Sequence, residues 1–238
     1  MKKFNKEKFF RRYISNFVIV MMLGIVAMVT LNFGSVGVAS TNIDDVIYQG
    51  NRESSYVSLM FNVYWGTEYI PEILSTLEKY NVKTTFFVGG TWAEKEQSSL
   101  KMIYDHGHEI GNHGYFHKDQ GNLNYEENYS EISVTHKLIN SIIGIDMNLF
   151  APPSGSFNNS TIESAKNLGY TTIMWSKDTI DWRDKDSDLV YSRATNNTKG
   201  GELILMHPTA HTLEALPKIL DYFVAHDIIP TTVTKTIN

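Results

Sequence analysis

The sequence contains no cysteine among its 238 residues. This absence excludes structural disulfides, cysteine-ligated zinc, iron–sulfur clusters and thiol catalysis. A bias toward disorder is also absent, because 42% of the residues are hydrophobic and 20% are charged, as in globular proteins. A chain of this length suits one domain of ordinary size, whose core is held by apolar packing without covalent cross-links.

Charge is missing from one long stretch, since no charged residue occurs between Arg12 and Asp44. Residues 1–12 hold six Lys or Arg and one Glu, a local charge of +5, so the remainder carries −10 of the total of −5. An acidic body lacks the clustered cations that binding to a phosphate backbone needs. We therefore expect no nucleic-acid partner.

The uncharged stretch predicts an export segment. Phe17 to Leu31 is continuously apolar apart from Gly24 and Thr30, and Phe17 to Val38 spans 22 residues, where about 20 cross a bilayer. Residues 1–40 therefore read as a basic cytoplasmic tail followed by a signal anchor or a cleaved signal peptide. In both cases the body lies on the extracytoplasmic side, either membrane-anchored or secreted.

The body alternates strand and helix patterns. Residues 41–55 are polar and read as a linker, and residues 56–238 form the predicted domain. Seven β-rich runs, mostly separated by amphipathic helices, predict an α/β fold with a parallel sheet or a barrel. The predicted strands are 56–61, 83–88, 109–112, 147–151, 170–175, 203–206 and 228–232.

Polar and aromatic clusters follow five of these strands. They are Asn62 to Gly66, His113 to His117, Pro152 to Gly155, Asp178 to Trp182, and His207 with Pro208. In parallel α/β folds, the loops at the carboxyl ends of strands build the functional site. The sequence therefore predicts that these five clusters converge.

The histidine and aspartate spacings each allow two interpretations. His113 and His117 are four residues apart, which suits a divalent metal, although a catalytic zinc usually has three protein ligands. The alternative is a pair of structural histidines. Asp178 and Asp181 are either turn or helix-cap residues, or a carboxylate that orients His207 from another strand end.

The clusters HGYFH, PPSG, DTIDW and LMH, in that order, resemble the polysaccharide deacetylase family, also called the NodB homology domain or carbohydrate esterase family 4. The resemblance covers about Val57 to Thr232, and FNVYWG resembles the sporulation-associated bacterial branch. It implies a deformed (β/α) barrel of about seven parallel strands. It also implies hydrolysis of N-acetyl groups on peptidoglycan or a similar glycan, using a divalent metal that is usually zinc.

The family roles carry over to this sequence only in part. The resemblance assigns the metal histidines to His113 and His117, the proton-donating histidine to His207, and the aspartate that tunes it to Asp181. The remaining family positions hold replacements: Asn62 at the general base, Val63 at the metal aspartate, and Ala151 at the arginine that positions the base. The sequence therefore predicts a zinc site that is weak or absent.

The sequence leaves three functions open. The first is a metal-dependent glycan N-deacetylase in which Asp178 or another carboxylate replaces the base. The second is an impaired family member that binds cell-wall glycan as an envelope module, and the third is a structural spacer. In the first two, the predicted substrate contacts are Tyr64, Trp65, Pro153 and Trp182, whereas Trp175 is predicted to lie in the core.

Overall fold

The computed structural model describes residues 17, 19–24 and 46–238. The chain divides into two units, residues 1–40 and 41–238. Residues 17 and 19–24 are helical, and the rest of the predicted signal segment lies outside the described residues. Within the described part, no helix has the length and apolar character needed to span a bilayer.

The second unit alternates strands with helices. Its strands are β1 Val46–Ile47, β2 Tyr56–Val63, β3 Thr85–Val88, β4 Glu109–Asn112, β5 Leu149–Phe150, β6 Thr171–Ile173, β7 Lys177–Asp178, β8 Leu203–Met206 and β9 Ile229–Pro230. Its α-helices are α1 Ile70–Lys79, α2 Gly90–Lys95, α3 Gln97–Asp105, α4 Tyr125–Ile143, α5 Asn159–Asn167, α6 Asp181–Asp184, α7 Ser187–Thr195, α8 Ala210–Ala225 and α9 Val233–Ile237.

One parallel sheet organises this unit. Its strand order is β1-β6-β5-β4-β3-β2-β8-β7, and β9 pairs with β2. Each ladder between these strands is parallel, because helices return the chain to the same end of the sheet. As a result, the carboxyl ends of β2, β4, β7 and β8 lie on one side.

The sheet is buried on both faces and curls into part of a barrel. Alternate β2 residues such as Phe61 and Val63 join an outer apolar cluster that includes residues of the surrounding helices. Met60, on the opposite face of β2, joins an inner cluster that draws residues from several strands: Phe87, Leu149, Ala151, Ile173 and Leu203, with Val233 of α9. Since side chains from so many strands meet, the sheet must curve around them.

Two elements differ from the sequence expectation because of tertiary pairing. The predicted linker contains β1, which pairs with β6, and Gly50 approaches the last helix so closely that a Cβ would lie 1.9 Å from the Thr236 carbonyl oxygen. From Val46 onward, the chain is therefore packed on the domain. β1 and β7 are only two residues long, too short to leave a periodic signal, so the described sheet has nine strands where seven were expected.

Local sequence signals mark the two ends of α4, whereas the break between α2 and α3 has no such signal. α4 begins at a capping box between Asn124 and Glu127 and ends at Gly144, whose φ of 72° is left-handed. From the sequence, one helix is predicted over about residues 92–105, but the structure divides this segment into α2 and α3 at Glu96, whose φ of −112° and ψ of 41° interrupt the helical backbone.

Candidate active site

The five strand-end clusters meet around one cavity of about 560 Å³. The cavity is lined by Asn62, Tyr64, Trp65, His113, His117, Ser154, Trp175, Asp178, Trp182, Leu205 and His207. These residues come from loops that are distant in sequence, and the parallel sheet places them at the same edge. The predicted convergence of the clusters is therefore seen in the structure.

One half of the cavity, here called the acid half, consists of Asp181, Trp182 and His207. The Nδ1 of His207 donates to Asp181 Oδ1 at 2.8 Å, and the His207 backbone N–H donates to Asp181 Oδ2 at 2.7 Å. The Thr212 hydroxyl donates to the same Oδ2. Because Nδ1 carries its proton toward Asp181, Nε2 of His207 is left to exchange a proton with a bound molecule.

Local backbone geometry brings Asp181 to this position. Asp178 Oδ1 accepts a hydrogen bond from the Ile180 N–H at 2.8 Å, and Ile180 has a left-handed φ of 53°. This turn starts α6 at Asp181, whose side chain is only 1% exposed. The two aspartates thus fill both roles considered from the sequence: Asp178 holds a turn, and Asp181 orients His207.

Aromatic rings border the acid half. The Trp65 ring lies parallel to the His207 imidazole, with 5.7 Å between ring centroids and 7° between planes. Trp65 is 43% exposed and Trp182 is 50% exposed. Large apolar surfaces left in solvent beside a cavity are typical of a ligand-binding face.

His113 and His117 form the floor and opposite wall. His113 Nδ1 donates to the Ala151 carbonyl oxygen at 2.7 Å, so its Nε2 keeps a lone pair. Burial, with the neighbouring His117, lowers the pKa of His113 to about 3, and burial also lowers the pKa of His117. Both imidazoles are therefore neutral near neutral pH, and their ring centroids are 5.1 Å apart.

A buried carboxylate holds the loop that carries both histidines. Glu131 of α4 is 4% exposed, and its Oε2 accepts hydrogen bonds from the backbone N–H groups of Tyr115 and Phe116 at 2.9 and 2.8 Å. Its Oε1 lies 3.4 Å from Lys118 Nζ. The long helix therefore fixes the loop through its backbone. Glu131 was not predicted as a site residue, because the helical pattern of the sequence gives no sign of the distant backbone groups that it contacts.

The other half of the site, here called the base half, consists of Asn62, Val63 and Ala151. Asn62 is the penultimate residue of β2 and lines the cavity; it is 4% exposed, and its Oδ1 has no hydrogen-bond partner. Val63 points to the opposite face of the sheet and is fully buried in the outer cluster. Ala151 belongs to the inner cluster and offers the site only its carbonyl oxygen.

The residues present do not fit the metal that the family resemblance implies. A catalytic zinc site takes three protein ligands, and this cavity supplies the free nitrogens of two histidines. In the described part of the chain, no group of three His, Asp or Glu side chains could hold a metal ion. Val63 carries no donor atom and faces away from the histidines.

Three further placements bear on substrate contacts. Tyr64, Trp65 and Trp182, the predicted substrate contacts, line the cavity, but the fourth, Pro153, is buried and does not. Its neighbour Ser154 lines the cavity instead, with a left-handed φ of 55° that exposes its side chain. Trp175, expected in the core, packs against the core and also lines the cavity.

The fold and the cavity define a barrel-type α/β protein with a hydrolase-like site, in which the acid half is complete and the base half is not. Comparison with known proteins gives the family. The family model for polysaccharide deacetylase matches residues 49–173, more than half of the chain. The chain therefore belongs to the polysaccharide deacetylase family.

Relatives in Bacillus extend this match. A peptidoglycan-N-acetylglucosamine deacetylase of Bacillus cereus is 32% identical over 73% of this chain and 65% of its own length. The uncharacterized protein YlxY of Bacillus subtilis is 38% identical over 73% of this chain and 54% of its own length. The chain thus spans between about half and two thirds of these relatives.

A solved structure shares the fold closely. A CE4 family pseudoenzyme from Bacillus anthracis superimposes with a TM-score of 0.79 at 35% identity, covering 81% of this chain and 69% of that protein. A mutant of that pseudoenzyme, at 34% identity and the same TM-score over 81% of this chain and 71% of its own, is described as having restored enzymatic activity.

Proposed function

We propose that this protein is an impaired member of its family that binds cell-wall glycan without efficient deacetylation. The observation that carries the proposal is the buried amide of Asn62 at the end of β2, where the family resemblance expects a carboxylate. An amide does not accept a proton near neutral pH. General-base catalysis, which is typically worth about 10²- to 10⁴-fold, is therefore missing from this position.

The metal side of the site supports the same proposal. A bound metal would supply Lewis-acid activation in an active family member. Here the ligands stop at His113 and His117, and Val63 lies in the outer cluster. We expect zinc to bind weakly.

Glycan binding is supported by the shape and the aromatic rim of the site. A second cavity of about 260 Å³ adjoins the first and shares Tyr64 and Trp65 with it. Two adjoining cavities suit an oligosaccharide better than a single sugar, and the exposed rings of Trp65 and Trp182 suit the apolar faces of sugar rings. Because relatives are peptidoglycan deacetylases, we propose a peptidoglycan-type glycan as the ligand.

The proposed location follows from the first forty residues. The basic tail and the apolar run predict export, with the domain outside the cytoplasmic membrane, either anchored or released. A glycan-binding domain placed there meets its ligand directly. The relationship to a pseudoenzyme of the same family is consistent with a role that does not need turnover.

A slow N-deacetylase is the second candidate, and one observation favours it. Asp178 lines the same cavity as His113, His117 and His207, and only its Oδ1 is used by the Ile180 N–H. Its other oxygen is available as a proton acceptor, with His207 opposite as the proton donor. In this reading, the acid half and Asp178 together give residual activity.

Acetate release separates the two candidates. The purified chain is incubated with acetylated glycan oligomers and zinc, beside a His207→Ala control. Binding of the oligomers without acetate release above the control supports the glycan-binding protein. Acetate release that requires His207 and is lost in Asp178→Asn supports the hydrolase, and absence of both binding and release contradicts both.

A further inference from the structure

The cavity holds hydrogen-bond acceptors without a protein partner, beside the donors of its tryptophan and serine side chains. The Oδ1 of Asn62 is enclosed and has no partner, although a buried acceptor without a partner is costly. The Nε2 of His113 is also an acceptor, because its Nδ1 donates to the Ala151 carbonyl oxygen. These atoms call for a ligand that donates hydrogen bonds.

Negative charge dominates the same space. Asp178 lines the cavity, and Asp181 lies directly behind His207. Among the described residues that line the cavity, none is Lys or Arg. Lys118 pairs with Glu131, and both Arg183 and Arg193 pair with Asp184; Arg183 also interacts electrostatically with Asp178, but forms no ion pair with it.

We propose that the cavity prefers the protonated amine of a de-N-acetylated amino sugar to the N-acetylated form. This inference rests on the proposed glycan binding and names its ligand. An ammonium group offers donors and no acceptor, and it carries the charge that Asp178 lacks as a partner. The acetamide group is neutral and brings a carbonyl oxygen that no cation of the cavity would meet.

With this preference, the protein would bind the product of a deacetylase more tightly than its substrate. A deacetylase must take the acetylated sugar and release the amine. Here the carboxylate of the base position is replaced by an amide, and no arginine stands at Ala151. The preference for the amino sugar that a glycan deacetylation reaction produces therefore rests on Asp178, the carboxylate that remains in the lining of the cavity.

The test compares three tetrasaccharides of equal length and linkage. The purified full chain, in detergent and with a chelator to remove metal, is titrated by calorimetry with β-1,4-linked glucosamine, N-acetylglucosamine and glucose tetramers. We expect the glucosamine tetramer to bind about tenfold more tightly than either neutral tetramer, as expected for a charge-assisted contact. The glucose tetramer reports the affinity of the groove without the amine.

Two variants and one matched control locate the effect. Asp178→Asn should remove most of the preference, so that the glucosamine and glucose tetramers bind this variant with similar affinities. Asn62→Asp should increase the preference, because it adds a second carboxylate, and it gives an independent result if Asp178→Asn does not fold. Asp188→Asn removes the same charge at an exposed position, 87% accessible and outside the cavity, and should change nothing.

The remaining outcomes are distinct. If the N-acetylglucosamine tetramer binds as tightly as the glucosamine tetramer, the inference is wrong and glycan binding stands. If none of the tetramers binds, the proposed function itself fails. If Asp188→Asn weakens the preference as much as Asp178→Asn does, the attraction is a property of the whole acidic surface, and the assignment to this cavity is overturned.

Discussion

The acid half and the base half of the site differ in how deeply each is tied into the fold. Asp181 accepts three hydrogen bonds, two from His207 and one from Thr212, so replacing it disrupts the packing of β8 and α8. Asn62 has no protein partner for its Oδ1. The acid half is thus held by several hydrogen bonds within the protein, whereas the Asn62 oxygen of the base half is held by none.

The base half also shows why its replacements occur together. An arginine at Ala151 would be a buried cation in the inner cluster without a carboxylate at Asn62 to pair with. A carboxylate at Val63 would lie in the outer apolar cluster unless a metal held it. Neutral residues at all three positions leave no uncompensated charge.

Restoring the base half gives the largest expected effect. Asn62→Asp combined with Val63→Asp should raise zinc-dependent acetate release by about 10²- to 10⁴-fold, because a proton acceptor returns to the cavity and the new carboxylate, at the last residue of β2, turns from the outer cluster toward the histidines to hold the metal. Acetate release from acetylated glycan oligomers measures the gain. Adding His207→Ala must remove it, since the acid half supplies the proton donor.

The same double variant also tests whether the base half alone distinguishes this cavity from an active site. Val63 is fully buried among apolar side chains, so Val63→Asp alone should lower the free energy of unfolding, and added zinc should recover part of the loss. A double variant that folds and binds zinc tightly but releases no acetate would show that the cavity differs from an active site in more than its base half.

The structural role of the acid half predicts the next effect. Asp181→Asn should lower the free energy of unfolding by about 2–3 kcal/mol, because the amide has one acceptor oxygen for three donors and loses the charge. Asn62→Ala should cost less, since no protein hydrogen bond is lost. Urea unfolding measures both, with the exposed Asp188→Asn as control. Equal losses at Asp181 and Asn62 would remove the proposed difference between the halves.

Lowering the pH should destabilise the fold at the loop that carries His113 and His117. The pKa of His113 is lowered to about 3 by burial and by His117, from an ordinary value of 6.5. The unfolded chain therefore binds the extra proton first, and stability falls as the pH drops from about 6.5 toward 3, by up to about 1.4 kcal/mol per pH unit. Unfolding measured across this range should show a shallower dependence in His113→Gln. The exposed His226→Gln serves as the matched control and should leave the slope unchanged.

The smallest expected effect concerns Glu131, which holds the loop that carries His113 and His117. Glu131→Gln keeps the side-chain shape but removes the charge that accepts the Tyr115 and Phe116 N–H groups, so we expect a loss of about 1 kcal/mol. Hydrogen exchange should become faster at these two amides. The exposed Glu163→Gln is the control, and unchanged exchange in Glu131→Gln would mean that the loop is held by other contacts.

Sequence reasoning predicted some elements of the fold closely and others poorly, for local reasons. β4 and β8 have the bounds predicted from the sequence, and α4 carries its own capping box and terminal glycine. The break at Glu96 and the strand β1 depend on packing against other elements, which leaves no periodic trace in the chain. Pro153, a predicted substrate contact, is likewise buried, and Ser154 lines the cavity instead, in a left-handed turn that the sequence pattern does not show.

The sequence by itself determined which chemical groups are available. It shows that cysteine is absent and that His113, His117, Asp181 and His207 are present. It also shows that Asn62 stands where the family resemblance expects a base. The identity of a side chain is known without the fold. Only the tertiary structure decided how those groups are used. The curl of the parallel sheet brings strand ends to one cavity, and the alternation of β2 turns Asn62 inward and Val63 outward. Direction and burial depend on contacts between distant segments, and no local pattern encodes them.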